Sequence, residues 1–231
     1  MKCITGDLHG GTDIWKVGST AWPFGQRLTK SDYLFVAGDS GLWFSDTPNE
    51  RGIRTWLNEQ PWTTLIVDGN HENFDLMETY PDETMFGGKV KVMDSSTFWL
   101  RRGEVYEIDY SKIFVFGGAD SIDKDQRMPG RSWWPQEIPT RAEFENAERN
   151  LTLHNWEVDF VISHTCPHAE VESFVKPGYG VSWKRFEDPT TYMLQELKDK
   201  LKFRKWYFGH FHKDKEIGRF HALYNTIAQM Y

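Results

Sequence analysis

Cysteine is nearly absent. Cys3 and Cys166 are the only two among 231 residues and form no CxxC pair, which excludes a disulfide framework and makes a reducing compartment the simplest setting. Long apolar runs are missing too. No stretch reaches the roughly 18 uninterrupted apolar residues of a membrane span, and the opening MKCITGDLHGG meets Asp7 before an apolar run of signal length develops. A soluble cytoplasmic protein with no membrane partner is expected. Positive charge is in deficit, with 27 Lys and Arg against 34 Asp and Glu for a net charge of -7. Such a field repels polyanions and disfavours a broad surface for duplex nucleic acid. Chemistry on phosphate would have to rest on a local positive centre. Repeats, low-complexity tracts and linker-like shifts in composition are also lacking, and the length suits one domain over residues 1–231. Apolar residues are not scarce: 39% hydrophobic and 16% aromatic can bury a sizeable core, which argues against intrinsic disorder.

Short runs of Val, Ile, Leu and aromatics closed by Gly or polar residues read as buried strands at 3–5, 33–37, 65–67, 160–162 and 206–208, with further strands expected at 105–108, 113–116 and 223–227. Three helices fall between them. Thr47-Pro48-Asn49-Glu50 and Thr140-Arg141-Ala142-Glu143 are capping-box sequences. Ile53, Trp56 and Leu57 should face inward after the first, and Phe144, Ala147, Leu151 and Trp156 after the second. Asp188-Pro189 opens a third helix, with Tyr192 or Met193, Leu197 and Leu201 inward and Glu196 to Lys200 as an i, i+4 pair. Strands alternating with helices imply an α/β core with a parallel sheet, and the hairpin-like run 105–116 adds antiparallel strands. Residues 120–139, rich in Pro, Gly and Trp, read as a long loop of the kind that carries function.

The clearest strands all end in metal-ligand residue types: Gly6-Asp7-Leu8-His9, Gly38-Asp39, Gly69-Asn70-His71-Glu72, Ser163-His164 and Gly209-His210-Phe211-His212. Ligands in α/β sheets bind beyond the carboxyl ends of strands, so the five ends can converge in one crevice. Two Asp, one Asn and four His form an N/O set suited to Mn, Fe or Zn. Seven ligands are too many for one tetrahedral ion, whereas two ions sharing a carboxylate form the clamp used in phosphoester hydrolysis.

In this set and order the chain resembles the calcineurin-like metallophosphoesterase superfamily, whose DxH, GD, GNHE, strand-end His and GHxH blocks correspond to the residues just quoted, from Asp7 to His212. The resemblance implies a four-layer α/β/β/α sandwich of two mixed sheets flanked by helices. It assigns Asp7, His9 and His212 to one metal and Asn70, His164 and His210 to the other, with Asp39 bridging; the ions would be manganese first, with Fe, Zn or Mg as alternatives. His71 would be the general acid, or a donor to a phosphate oxygen. The implied reaction is hydrolysis of a phosphomonoester or phosphodiester, small or end-presented, by metal-activated hydroxide attacking phosphorus in line. The alternatives are a nuclease acting on nucleic-acid ends and a catalytically silent phosphate-binding module.

Departures narrow the reading. The GDxVDRG block and the Arg before GNHE of the phosphoprotein phosphatases are replaced by Gly38-Asp39-Ser40-Gly41-Leu42-Trp43 and Asp68. A replacement cation is sought in Arg127 and Arg131 of the long loop, or in Arg101 and Arg102. Glu72 reads equally as a partner orienting the site or as a helix-start acid, and Asp68 as a solvated strand-end acid before it reads as a partner orienting a ligand. Trp133-Trp134 reads as a plug beneath the loop before it reads as a stacking wall. His154, His168 and His221 read as structural, and Gly209 as the place where the chain bends so that His210 and His212 serve different ions.

Overall fold

Two mixed β-sheets lie face to face, with helices covering each outer side. The computed structural model describes residues 1–175, 186 and 188–231. In chain order the strands begin with β1 (Lys2–Thr5), β2 (Tyr33–Ala37), β3 (Thr63–Val67), β4 (Asp82–Met85), β5 (Gly88–Asp94) and β6 (Thr97–Leu100). They continue with β7 (Glu104–Ile108), β8 (Ser111–Phe116), β9 (Phe160–Ser163), β10 (Lys205–Phe208), β11 (Lys215–Ile217), β12 (Phe220–Ala222) and β13 (Ala228–Gln229). The helices are α1 (Pro48–Glu59), α2 (Phe74–Met77), α3 (Arg141–Leu153), α4 (His168–Phe174) and α5 (Pro189–Lys198).

Among the described residues the first sheet runs β13-β1-β2-β3-β6-β5-β4 and the second β11-β12-β10-β9-β8-β7. The centre of each is parallel: β1, β2, β3 and β6 in one, β8, β9, β10 and β12 in the other. Antiparallel strands close the edges. Parallel strands buried on both faces need apolar residues in succession rather than alternation, and β2 and β3 supply them as Leu34-Phe35-Val36-Ala37 and Leu65-Ile66-Val67, all buried.

Successive side chains along these strands divide between two cores. Phe35, Leu65 and Val67 of the first sheet meet Ile113, Val115, Phe160 and Ile162 of the second in the core between the sheets. Leu34, Val36 and Ile66 point the other way and pack with Leu57 of α1 and Phe74 of α2. On the far side Phe114, Phe116, Val161 and Trp206 pack under Phe144 and Leu151 of α3, Val171 of α4 and Leu194 and Leu197 of α5. The result is the four-layer α/β/β/α order.

Several local expectations change. Residues 223–227 are not a strand, because the Asp214 carboxylate takes the N–H groups of Tyr224, Asn225 and Thr226 at 2.9 to 3.1 Å and so removes the donors a ladder needs. The strands of this stretch are the flanking β12 and β13. At α1 only the Thr47 half of the capping box forms, accepting from Glu50 N, since the Glu50 carboxylate goes to Ser45 N. The box at α3 is complete. In α5 the inner face carries Leu194 with Met193 packed against the same core, while Tyr192 is exposed, and Lys200 reaches Glu148 of α3 at 3.1 Å instead of Glu196.

Candidate metal centre

The five ligand-bearing strand ends come from both sheets and meet at one edge. Asp7 follows β1, Asp39 follows β2, Asn70 and His71 follow β3, His164 follows β9, and His210 and His212 follow β10. Cross-sheet contacts hold that edge together: His164 Nδ1 donates to Ala37 O at 2.9 Å, and His210 N donates to Asp7 Oδ1 at 3.0 Å. Gly209 and Gly69 permit the approach. A Cβ on Gly209 would sit 2.6 Å from Asp7 Oδ1, and one on Gly69 would overlap Asp39 Oδ1.

The bend expected at Gly209 is made by the histidines themselves. His210 and His212 are left-handed, with φ of 66° and 47°, as are His9 at 42° and Asp39 at 49°. Such conformations cost on the order of 1–3 kcal/mol each and persist where surrounding structure fixes them. Here Asp39 O accepts from both Leu8 N and His9 N at 2.9 Å. The Glu72 carboxylate takes Ser40 N at 2.7 Å and Ser40 Oγ at 3.0 Å, so Glu72 secures the turn carrying Asp39 and does not touch the cleft.

The ligand atoms of His9, Asp39 and His71 lie within 4.8 Å of one another, and so do those of Asp7, Asp39 and His164; Asp39 belongs to both groups. Asn70 Oδ1 is 3.0 Å from His164 Nε2, His212 Nε2 is 4.0 Å from Asp7 Oδ2, and the His164 and His210 rings pack edge-on at 5.0 Å. The structure therefore brings together all seven sequence-derived ligands and His71. His71 enters one ligand group, a position the sequence reading did not give it. Two bonds fix which ring nitrogen faces the site: His164 Nδ1 donates to Ala37 O, and Asp13 Oδ2 lies 2.7 Å from His9 Nδ1, which sets Nε2 of each toward Asp39 at 3.3 and 3.5 Å. Asp13, four residues beyond His9, and Tyr224, whose ring stacks on His212 at 4.9 Å, were not singled out from sequence. The i, i+4 spacing was the available signal for Asp13; Tyr224 had none.

Charge at the site is strongly perturbed. Burial raises the Asp7 carboxyl above the usual carboxylate range, whereas the histidines around Asp39 overcome its burial and hold it well below that range. Against burial, Asp39 and Asp13 carry His9 up to about 9, and Asp39 and Asp7 carry His164 to about 10. Burial and neighbouring histidines push His210 far down. Asp7 Oδ2 and His210 Nε2 are buried with no hydrogen-bond partner. Orphaned buried polar atoms are rare and call for a specific explanation, an ion among them.

Above these groups lies a cleft of about 420 Å³, lined in part by Asp39, Asn70, His71, His210 and His212. Of the four candidate cations, Arg127 lines it: Nη2 is 3.2 Å from His71 Nε2, and Nε pairs with Asp123 at 2.8 Å. Arg131 is exposed. Arg101 pairs with Glu78 at 2.7 Å. Arg102 is buried against Asp68 at 2.5 and 2.8 Å, with Trp99 Nε1 on the same carboxylate at 3.0 Å. Asp68 is thus fully buried rather than solvated, because β6 delivers Trp99 and the following turn delivers Arg102 onto it. Trp134 plugs the first-sheet core and donates to Asp75 at 2.9 Å. His154, His168 and His221 lie away from the cleft lining, at the end of α3, the start of α4 and within β12. No family model matches the chain, and no curated protein does.

Proposed function

We propose that the chain is a dinuclear-metal-dependent phosphoester hydrolase of the calcineurin-like metallophosphoesterase superfamily. The observation that carries this reading is the shared carboxylate: Asp39 belongs to two ligand groups at once, the arrangement a bridged metal pair requires. The partnerless Asp7 Oδ2 and His210 Nε2 fit the same need. By the resemblance Asp7, His9 and His212 with Asp39 would hold one ion and Asn70, His164 and His210 with Asp39 the other, a division that differs from the two ligand groups, which set Asp7 beside His164 and His9 beside His71. An N/O donor set without thiolate suits manganese, with Fe, Zn or Mg as alternatives. When bound, such ions supply Lewis acidity toward a phosphoryl oxygen and activate water as nucleophile.

The chain's own residues do the rest. The Arg127 guanidinium faces the cleft and binds a phosphoryl oxygen. His71 sits beside it, and burial together with the Arg127 charge lowers the imidazole below its ordinary range despite Asp39. A bound phosphoryl group offsets that charge, so His71 can carry a proton to the departing ester oxygen. A nuclease would have Arg127, already tied to Asp123, as its cleft cation among the described residues. The net charge of -7 favours a small or end-presented ester over a polymer held along a cationic track.

The test uses protein stripped and reloaded with manganese, assayed on p-nitrophenyl phosphate, bis-p-nitrophenyl phosphate, cyclic nucleotides and single-stranded DNA. Asp39→Asn is expected to lose both ions and at least about a hundredfold in turnover. Two-metal occupancy with full activity in Asp39→Asn sinks the assignment; two bound metals and no turnover of any substrate favours the silent binding module.

A further inference from the structure

Asparagine is an ambiguous ligand, since its amide presents an oxygen on one side and an NH2 on the other, and only the oxygen can face a cation. The long loop resolves the ambiguity here. Asn70 Nδ2 donates to Ser121 Oγ at 3.2 Å, and Ser121 Oγ in turn donates to Glu137 Oε2 at 2.6 Å. Ser121 N donates to the same carboxylate oxygen at 3.2 Å. All three residues are buried, at 5%, 2% and 0% exposure, so a lost partner leaves a buried polar group unsatisfied. A serine hydroxyl has one proton. Because Oε2 already accepts from Ser121 N and accepts that proton as well, the hydroxyl can only accept from Asn70. The NH2 is thereby turned away from the site and Oδ1 toward His164 Nε2.

We propose that Glu137, acting through Ser121, is a positioning residue that fixes the amide orientation of Asn70 and so prepares one of the two metal sites. The proposal rests on the metal reading above for its consequence, but not for the relay. Side chains that hydrogen-bond and orient a metal ligand commonly govern about ten- to a hundredfold in metal affinity. Glu137→Met fills a similar volume and removes the acceptor of the Ser121 hydroxyl together with the partnerless Oε1.

Manganese binding by the full chain is measured by titration calorimetry. Ser121→Ala and Glu137→Met are each expected to weaken one site by about tenfold or more and to spare the other. In an Asn70→Asp background both side-chain oxygens can ligate, so adding Ser121→Ala should change affinity by less than about twofold. An equal loss in both backgrounds, or two sites of unchanged affinity in Ser121→Ala, overturns the relay. Wild-type protein that binds no manganese overturns the metal reading instead. The relay is then judged on metal-free protein, where the Asn70 side-chain amide resonances, identified by their disappearance in Asn70→Asp, must move in both Ser121→Ala and Glu137→Met; resonances that stay in place overturn it.

Discussion

At the scale of single residues the site separates side chains that share a type but not a surrounding. Arg101 and Arg102 adjoin in sequence, yet one pairs at the surface with Glu78 and the other is buried on Asp68. Arg127 and Arg131 share a loop, yet only Arg127 reaches His71. Hydrogen bonds to a charged group contribute about 1.5–3 kcal/mol, which converts to roughly ten- to a hundredfold in a binding constant. Arg127→Ala is therefore expected to raise the Michaelis constant for p-nitrophenyl phosphate by at least about tenfold, while Arg131→Ala changes it by less than about twofold. Steady-state kinetics on the manganese-loaded variants checks both, and an unchanged constant in Arg127→Ala removes it from substrate binding. What made the ligands legible in sequence was that each lies within a few residues of a strand end. The groups that orient them were not legible for the same reason: Ser121 and Glu137 lie 51 and 67 positions beyond Asn70, and no local pattern ties a loop hydroxyl or a loop acid to a strand end so far upstream.

Elements were readable where local and tertiary preferences agree. β2 runs over Tyr33–Ala37, the five residues its apolar run marks out, because a strand buried on both faces needs that run. The β5–β6 hairpin was missed although Lys89-Val90-Lys91-Val92 alternates, since Lys91 is buried, its ammonium held by Glu78 O and Tyr80 O at 3.0 Å. A buried lysine disguises a strand face. Capping gives the sharpest comparison between elements. In α3, Thr140 Oγ1 accepts from Glu143 N at 3.2 Å and Glu143 returns to Thr140 N at 2.7 Å. Thr140→Ala removes the first bond and leaves the helix start without its acceptor, so it is expected to lower unfolding stability by about 0.5–2 kcal/mol. Manganese affinity should stay as in wild type, because α3 packs on the outer face of the second sheet and supplies no ligand. Denaturant melts of Thr140→Ala beside Thr47→Ala check this; a loss of metal affinity in Thr140→Ala would show that the outer layer is coupled to the site.

For the molecule as a whole, the metal-free site stores protons that the unfolded chain does not hold. Asp39 with its neighbours lifts His9 to about 9 and His164 to about 10 against the opposing effect of burial, and burial beside Asp39 lifts Glu72 to about 8. Unfolded, the histidines titrate near 6.5 and the glutamate near 4.5. Between pH 7 and 8.5 these three groups therefore bind more protons in the folded state, and their contribution to stability falls as pH rises. The histidine contribution is complete below 6.5 and is lost as pH climbs through the folded values; the glutamate penalty grows as pH climbs from its unfolded value toward 8. His71, His210 and His212 are shifted down, so above pH 7 they are neutral in both states and leave the sign unchanged. Desolvation lowers Lys2, Lys16 and Lys30 from 10.5, and these act in the opposite sense from their folded values upward. Metal uptake must displace the stored protons, so its affinity rises over the same range, and a ligand bound only by the folded state stabilises by mass action. Metal-stripped protein is accordingly expected to melt at a lower temperature at pH 8.5 than at pH 7, and the stabilisation given by a fixed manganese concentration to be larger at pH 8.5. Calorimetric scans at both pH values, with and without manganese, measure the two trends together. A metal-free melting temperature that rises over this range would mean that His9 and His164 are not held protonated by Asp39, and the shared-carboxylate site would lose its electrostatic basis.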